Sequence, residues 1–400
     1  MMRLVLPVAA LLLLALAACE TDEATPSPIP SAGATPAIPG AARAIFLAGA
    51  TKTYPPSGEL WISNLDGSGR RQLTPDNVNA SFAGLVEGNG KRLFYYVALD
   101  GGTSRSLWKL DLNSGDRQKV IEFHARQEWD AYASVSPDGR YAAYTEIDSI
   151  GLLDTETRQT RRLLTGNAAA CDPPGGAGRC FVYRGSMWSP DGQLMVVTKG
   201  FYEGSSPALI DPFASAIEER EIGPTLPLAP AAWSPESEAI CAIHSYGETG
   251  LYLARAPDWQ IQDLVPEYNV AGTPAPRTER RVADCDWLSP ERIAFATAVA
   301  DIPAGYPAIP EWSVEVSVFD LAQGKPSNVA VILDGIQMAD PSVFALTGGH
   351  LVLIQYMVDR SGSGDFVAGQ PQMIDTTTSA RRPVLQPGDW VVDVVEMPTP

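Results

Sequence analysis

The sequence is poor in histidine, in cysteine and in basic residues. Its 400 residues include three histidines and five cysteines, and 29 lysines and arginines stand against 47 acidic residues, for a net charge of −18. This balance argues against a nucleic-acid partner, because binding to a polyanion requires an excess of basic residues. The histidines, His124, His244 and His350, lie too far apart for a short metal-ligand spacing. A zinc-type site would have to be assembled from distant segments.

Several motifs that identify enzymes are also missing. The sequence has no G-x-S-x-G elbow, no P-loop and no dinucleotide fingerprint. Its Ser-x-Asp-Gly segments do not continue into the aspartate-box pattern of sialidases. We therefore predict no cofactor and assign no catalytic residue from the sequence.

One apolar run, from Leu4 to Ala18, is too short to span a bilayer and is typical of a signal peptide. It ends in Leu16-Ala17-Ala18-Cys19, which resembles the lipobox of bacterial lipoproteins. The resemblance implies that residues 1–18 are removed, that Cys19 is lipidated and that the protein is anchored to a membrane of the cell envelope on its extracytoplasmic side. The alternative is an ordinary secretory signal followed by an incidental cysteine.

Residues 19–41 are rich in Pro, Ala, Ser and Thr and contain almost no large apolar side chain. Such a composition predicts a disordered tether, since too little surface could be buried to offset the entropy of folding. The globular domain is expected to cover residues 42–400. Membrane attachment is expected to depend on the anchor alone, because the acidic body would not bind anionic lipid.

The remaining four cysteines are an even set in an exported chain. Cys171 and Cys180 close a short Pro/Gly-rich loop, where a local disulfide would stiffen a segment without a core; two free thiols are the alternative. Cys241 and Cys285 lie in apolar strand-like segments. They are either bonded across neighbouring strands or buried as small hydrophobic residues.

Glycine and proline are abundant, at 35 and 34 residues, and 45% of the chain is hydrophobic. This favours a turn-rich β protein with a sizeable core. The segment SVSPDGRYAAYTE (134–146) returns as MWSPDGQLMVVTKG (187–200). Around the first copy we predict four strands, at 131–136, 140–146, 149–154 and 160–164. Pro-Asp-Gly between the first two is a tight turn, because Pro fixes φ and Gly accepts a positive φ.

The same order of strands recurs seven times at spacings of roughly 40 to 55 residues, the size of a four-stranded propeller blade. The first unit lacks its opening strand, and the chain ends on a spare apolar strand, DWVVDVVEM. We predict an all-β fold, a β-propeller of seven four-stranded blades, with six or eight as alternatives. The C-terminal strand should complete blade one, because a closed ring leaves no free edge.

The segments VSPDGRYAAYTE, WSPDGQLMVVTKG and LWISNLDGSGRRQLT resemble the TolB-type, WD-like propeller repeat. The resemblance implies a scaffold that binds proteins or small ligands rather than a particular reaction. In such a blade, the turns joining strands one to two and three to four share one side of the ring, which we call the short-turn face. The connections between strands two and three and between blades lie on the other side, the long-loop face.

Nearly all long connections of the sequence belong to the long-loop face, where loops on a rigid scaffold usually carry function. They combine aromatic residues with carboxylates, which suits recognition of a protein or a sugar-like ligand. Several of these side chains could instead pack within their own loops. The candidate residues are Phe201, Tyr202, Glu203, Tyr246, Glu248, Tyr306, Trp312 and Asp365.

Trp188, Trp233 and Trp287 each precede a Ser-Pro pair or its equivalent, and Phe344 is similarly placed. A repeated strand position of this kind predicts core residues between adjacent blades. Asp130, Asp284 and Asp286 are expected at the start of innermost strands, where they could ring the channel mouth and hold a cation.

Three functional hypotheses follow. The first is a membrane-anchored propeller that binds a protein or small ligand through its long-loop face. The second is a propeller enzyme, a hydrolase or lyase with carboxylates at the channel mouth. The third is a structural envelope lipoprotein. The absence of a recognisable nucleophile, base or metal set favours the first.

Overall fold

The computed structural model describes residues 42–51, 57–75, 78, 80–86, 92–99, 103–125, 132–167, 181–201, 204–222, 231–243, 250–266, 277–302, 312–346, 348–359 and 367–396. The predicted signal peptide, the tether, Cys19, Cys171 and Cys180 lie outside these ranges. No helix occurs in the described ranges, and so none there could cross a membrane.

The described residues form antiparallel strands, and many of the strands in the middle of a blade are buried at nearly every position. In chain order they are β1 (Ala42–Thr51), β2 (Ser57–Asn64), β3 (Arg71–Gln72), β4 (Ala80–Val86), β5 (Arg92–Leu99), β6 (Ser104–Asp111), β7 (Arg117–His124), β8 (Ala133–Val135), β9 (Tyr141–Glu146), β10 (Ser149–Asp154), β11 (Thr160–Thr165), β12 (Val182–Trp188), β13 (Met195–Phe201), β14 (Gly204–Ile210), β15 (Arg220–Glu221), β16 (Ala231–Trp233), β17 (Ala239–Ile243), β18 (Leu251–Arg255), β19 (Gln260–Val265), β20 (Arg277–Ser289), β21 (Arg292–Ile302), β22 (Trp312–Asp320), β23 (Lys325–Leu346), β24 (Leu351–Asp359), β25 (Val367–Ala368), β26 (Gln372–Asp375), β27 (Arg381–Pro383) and β28 (Asp389–Glu396).

The strands pair into seven four-stranded blades, as predicted. Blades two to five are β4–β7, β8–β11, β12–β15 and β16–β19, each paired in chain order. Blade six is β20, β21, β22 and the first part of β23; the rest of β23 opens blade seven with β24, β26 and β27. The four strands predicted around the first SPDG segment are confirmed as β8 to β11, with small shifts at their ends.

Ring closure by the C-terminal strand is confirmed. Strand β28 pairs antiparallel with β1, from Ala42 opposite Glu396 to Ala48 opposite Asp389, so blade one is β28, β1, β2 and β3. The side chain of Gln355 in blade seven clamps this strand. It accepts the N–H of Val391 at 2.7 Å and donates to the Val391 carbonyl at 2.9 Å. The N–H and the carbonyl of Val391 both face away from β1. The Gln355 side chain therefore pairs two backbone groups that the β1–β28 ladder leaves without a partner.

An ion pair also holds strand β28 in place. Arg70 donates two hydrogen bonds to the Asp389 carboxylate, at 2.8 and 2.9 Å. The Asp389 side chain is 3% exposed, and the guanidinium lies over the rings of Phe46 and Trp61, at 4.6 and 5.0 Å from their centroids. The pairing is two-pronged and shielded from water, which is the geometry in which an Arg–carboxylate bond is strongest.

The tryptophans before the Ser-Pro turns belong to the core, as predicted. Trp188, Trp233 and Trp287 are buried, and Phe344 is half-buried against the core of blades seven and one. Two of them also join blades: Trp233 Nε1 donates to the Met187 carbonyl at 3.4 Å, and Trp287 Nε1 donates to the Ala232 carbonyl at 3.0 Å. Each ring therefore fills the space between blades and bonds the inner strand of the preceding blade.

Cys241 and Cys285 form a disulfide bond. Of the two alternatives left by the sequence, a bond between strands and two buried free thiols, the structure shows the bond. Cys241 lies in β17 of blade five and Cys285 in β20 of blade six, with their Cα atoms 6.4 Å apart. Both are buried in one cluster with Leu253 and Phe295. The disulfide is a covalent link between adjacent blades.

Candidate functional site

Hydrogen bonds between turns confirm that the two kinds of short turn share one face. The N–H of Thr155, in a turn between strands three and four, donates to the Arg140 carbonyl in the turn between strands one and two, at 2.7 Å. The N–H of Thr376 bonds the His350 carbonyl in the same way in blade seven, also at 2.7 Å. The short-turn face is therefore a set of mutually bonded turns.

The SPDG segments have a structural role in these turns. Ser136 Oγ donates to Asp138 Oδ1 at 2.6 Å and accepts the N–H of Tyr141 at 2.9 Å, while Gly139 has a φ of 72°. The second copy repeats this geometry at Ser189 and Asp191. The serine and aspartate that recur in both copies form the hydrogen bonds of the turn, as expected from their residue types.

A cleft of about 520 Å³ lies between these two turns on the short-turn face. Tyr141 and Phe213 contribute aromatic rings whose centroids are 4.9 Å apart, and Phe213 is 39% exposed. Asp138, Asp191 and Gln193 contribute polar groups. Sequence reasoning missed this cleft, because it assigned function to the opposite face; the one signal was a phenylalanine in a polar turn, DPFAS.

Most of the candidate residues on the long-loop face lie outside the described residues: Tyr202, Glu203, Tyr246, Glu248, Tyr306 and Asp365. Phe201 is described only as backbone, at the end of β13 opposite Gly204. Trp312 is fully described. It begins β22 at the long-loop end of blade six and is half-buried.

Blade six extends farther toward the long-loop face than blade four. Its inner strand β20 begins ten residues before Trp287, whereas β12 begins six residues before the equivalent Trp188. The difference of four residues corresponds to about 13 Å of strand. A paired β20–β21 ribbon therefore projects on this side.

Ion pairs fix the side chains of this ribbon. Glu279 is 6% exposed and is bonded by Arg277 at 2.6 Å and by Arg281 at 3.1 Å. The Arg281 guanidinium also lies over the Trp312 ring, 5.4 Å from its centroid. The contacts with Glu279 and with the Trp312 ring restrict the Arg281 side chain, although 55% of it is exposed to solvent.

Asp284 and Asp286 lie in the middle of β20, and the expectation that they stand at the start of an innermost strand is wrong. The cause is the length of β20, which begins at Arg277. Asp284 accepts the N–H of Val343 at 2.9 Å, and Asp286 accepts the N–H of Ala345 at 2.7 Å. Both carboxylates therefore bind the open inner edge of blade seven.

No group of three His, Cys, Asp or Glu residues within the described ranges is placed to hold a metal ion. Asp130 and His244 lie outside those ranges. His124 Nδ1 lies 2.8 Å from Ser104 Oγ, and His350 Nδ1 lies 2.9 Å from the Gly348 carbonyl. The two described histidines are engaged in local contacts at opposite faces of the ring.

Burial raises the pKa of Asp284 to about 8, with a further contribution from the charge of Asp286, and raises the pKa of Asp286 to about 6. The ordinary pKa of an aspartate is 3.8, so the unfolded chain releases these protons near that pH. The folded chain retains them to a higher pH. Since the folded state binds more protons in this window, stability falls as the pH rises from about 4 through about 8.

We expect the wild-type protein to be less stable at about pH 8.5 than at about pH 5 by about 5 kcal/mol, because the two raised pKa values together span about 4 pH units of this range. The measurement is denaturant unfolding at both pH values. Asp284→Asn combined with Asp286→Asn should flatten this dependence, because neither amide titrates. Asp301→Asn, at an exposed acid of the same blade, is the matched control. Equal slopes in the wild type and the double variant would contradict the prediction.

Comparison with known proteins gives the fold. No family model and no curated protein matches the sequence. Among solved structures, oligogalacturonate lyase from Vibrio parahaemolyticus has a TM-score of 0.54 at 11% identity, with 89% of this chain and 87% of that chain covered. A puromycin-hydrolysing peptidase from Mycobacterium tuberculosis has a TM-score of 0.52 at 14% identity, with 88% and 52% covered.

TolB from Acinetobacter baumannii is also similar, with a TM-score of 0.44 at 15% identity and with 76% of this chain and 67% of that chain covered. At identities of 11% and 14%, the lyase and peptidase structures show a shared fold and nothing about activity. The chain is a seven-bladed β-propeller, similar in fold to proteins that include enzymes.

Proposed function

We propose that this chain is a lipid-anchored, extracytoplasmic propeller that binds a protein partner through its long-loop face. The observation that carries the proposal is the projecting end of blade six, where Trp312 and Arg281 are stacked and fixed by Glu279. Trp and Arg are the residues that most often dominate binding energy at protein interfaces. A partner that covered them would have less side-chain freedom to remove, because these contacts already restrict Arg281.

Two features support the extracytoplasmic address. The lipobox-like segment ending at Cys19 supports acylation, and acyl chains contribute about 0.8 kcal/mol per buried CH₂ to membrane binding. The disulfide between Cys241 and Cys285 supports an oxidising compartment, since such bonds persist mainly outside the cytoplasm. The two features are independent, because one is read from the leader and the other from the folded domain.

The test is cross-linking of the full-length protein in its native membranes, followed by recovery of the cross-linked complexes. Trp312→Ala combined with Arg281→Ala should reduce one specific complex about tenfold or more, the loss expected for a hot-spot pair. The melting temperature of the variant should fall by no more than a few degrees, because Arg277 still bonds Glu279 and the Trp312 ring is only half-buried.

Phe213→Ala, on the short-turn face, is the matched control and should leave the complex intact. Cys19→Ser should move the protein from the membrane to the soluble fraction. A complex lost equally in the Phe213→Ala variant would refute the assignment of the face, and a membrane-bound Cys19→Ser protein would refute the anchor.

A further inference from the structure

The point at which the chain enters the propeller defines one face. Strand β1 is the second strand of its blade, and its first residue, Ala42, lies beside the end of β2: the next residue, Arg43, pairs with Asn64. Asn64 opens the turn between the third and fourth strands, with Gly67 N–H donating to its carbonyl at 2.9 Å. The chain therefore enters on the short-turn face.

The chain leaves the ring at the same place. Glu396, the last residue of β28, pairs with Ala42. This arrangement follows from closure, because the C-terminal strand supplies the first strand of blade one and ends where the turn to the second strand would begin. Any attachment that precedes Ala42 is thus connected to the short-turn face and to no other part of the ring.

We propose that the short-turn face of the anchored protein is turned toward the bilayer, so that the long-loop face points away from it. This inference rests on the proposed anchor at Cys19. The partner is then a protein that approaches from outside the anchoring membrane, either soluble or attached to a structure facing it. A protein embedded beside the anchor in the same bilayer would meet the short turns instead.

The length of the segment between Cys19 and Ala42 determines how strongly one orientation is favoured over the inverted one. The 22 residues that separate Cys19 from Ala42 can span at most about 80 Å when fully extended. Strand β20, which runs from one face to the other, is about 40 Å long at 3.3 Å per residue. An inverted propeller would require the segment to pass the whole blade before it reached the bilayer. Such extension removes most of the conformations open to the segment.

The experiment measures the distance of each face from a bilayer. The acylated full-length protein is bound to phosphatidylethanolamine/phosphatidylglycerol vesicles that carry an acceptor dye on the headgroup. A fluorescent amino acid replaces either Thr278, at the long-loop end of β20, or Glu291, just beyond its short-turn end. Both positions are exposed and belong to one hairpin, so the two probes differ mainly in height above the membrane.

Energy transfer to the acceptor should be about twofold or more stronger from position 291 than from position 278, because the probes are roughly 40 Å apart along one strand. Equal transfer, or stronger transfer from position 278, would overturn the proposed orientation. The Cys19→Ser protein should show no transfer. If the wild-type protein fails to bind the vesicles at all, the proposed anchor fails instead, and the two failures are thereby distinguished.

Discussion

A chain that ends at residue 387 is expected to lose its cooperative melting transition or to be destabilised by about 5 kcal/mol or more. The truncation removes β28, and with it the buried side chains of Asp389, Trp390 and Val391, which are 3%, 7% and 0% exposed. It also leaves the apolar strand β1 as an open edge and deprives Arg70 and Gln355 of their partners.

The control is a chain that ends at residue 396, which keeps all of β28 and lacks only the four residues after it. Its melting curve, recorded by calorimetry or circular dichroism, should coincide with that of the full chain. If the chain ending at residue 387 melts as the full chain does, closure by β28 does not stabilise the propeller.

Arg70→Leu is expected to destabilise the protein by about 3 to 5 kcal/mol. The substitution leaves the Asp389 carboxylate, which is 3% exposed, without the guanidinium that bonds both of its oxygens. A buried charge without a partner costs more than the net value of the pair it belonged to. The measurement is the free energy of unfolding from urea titration.

Two further variants separate this effect from a general loss of packing. Adding Asp389→Leu to Arg70→Leu should recover part of the stability, because the unpaired charge is then removed. Lys119→Leu breaks the exposed pair with Glu122 and should change stability by less than about 1 kcal/mol. An effect of Arg70→Leu no larger than that of Lys119→Leu would show that the ion pair does not lock β28.

The sequence predicts two parts of the fold correctly. These are the turns, which depend on local residue types, and the blades, which depend on the spacing of the repeated strands. The SPDG turns require Ser, Asp and Gly at fixed offsets, and the structure shows the bonds that explain these residue types. The repeat favours seven blades and leaves six or eight as alternatives, and the structure shows seven. The closing strand follows from the repeat more directly, since one missing strand and one spare strand complete each other.

The features that escaped prediction depend on contacts between blades. Gln355 is an isolated polar residue in an apolar strand, and its role becomes clear only when the edge of β28 lies beside it. Asp284 and Asp286 resemble channel carboxylates until Val343 and Ala345 are seen to donate to them. The bond between Cys241 and Cys285 is one of two alternatives that the sequence leaves open, because the two cysteines are 44 residues apart and no local pattern pairs them.

The pairing of β1 with β28 has a consequence for biosynthesis. Strand β1 is the first part of the ring to be synthesised, and its partner is the last, with more than 330 residues between them. Until β28 is complete, the apolar segment AIFLAGA presents an open edge that can pair with other chains. The completed ring removes that edge in one late step. The interval before this step is when the protein most needs a chaperone, and its yield should depend on how quickly synthesis reaches residue 396.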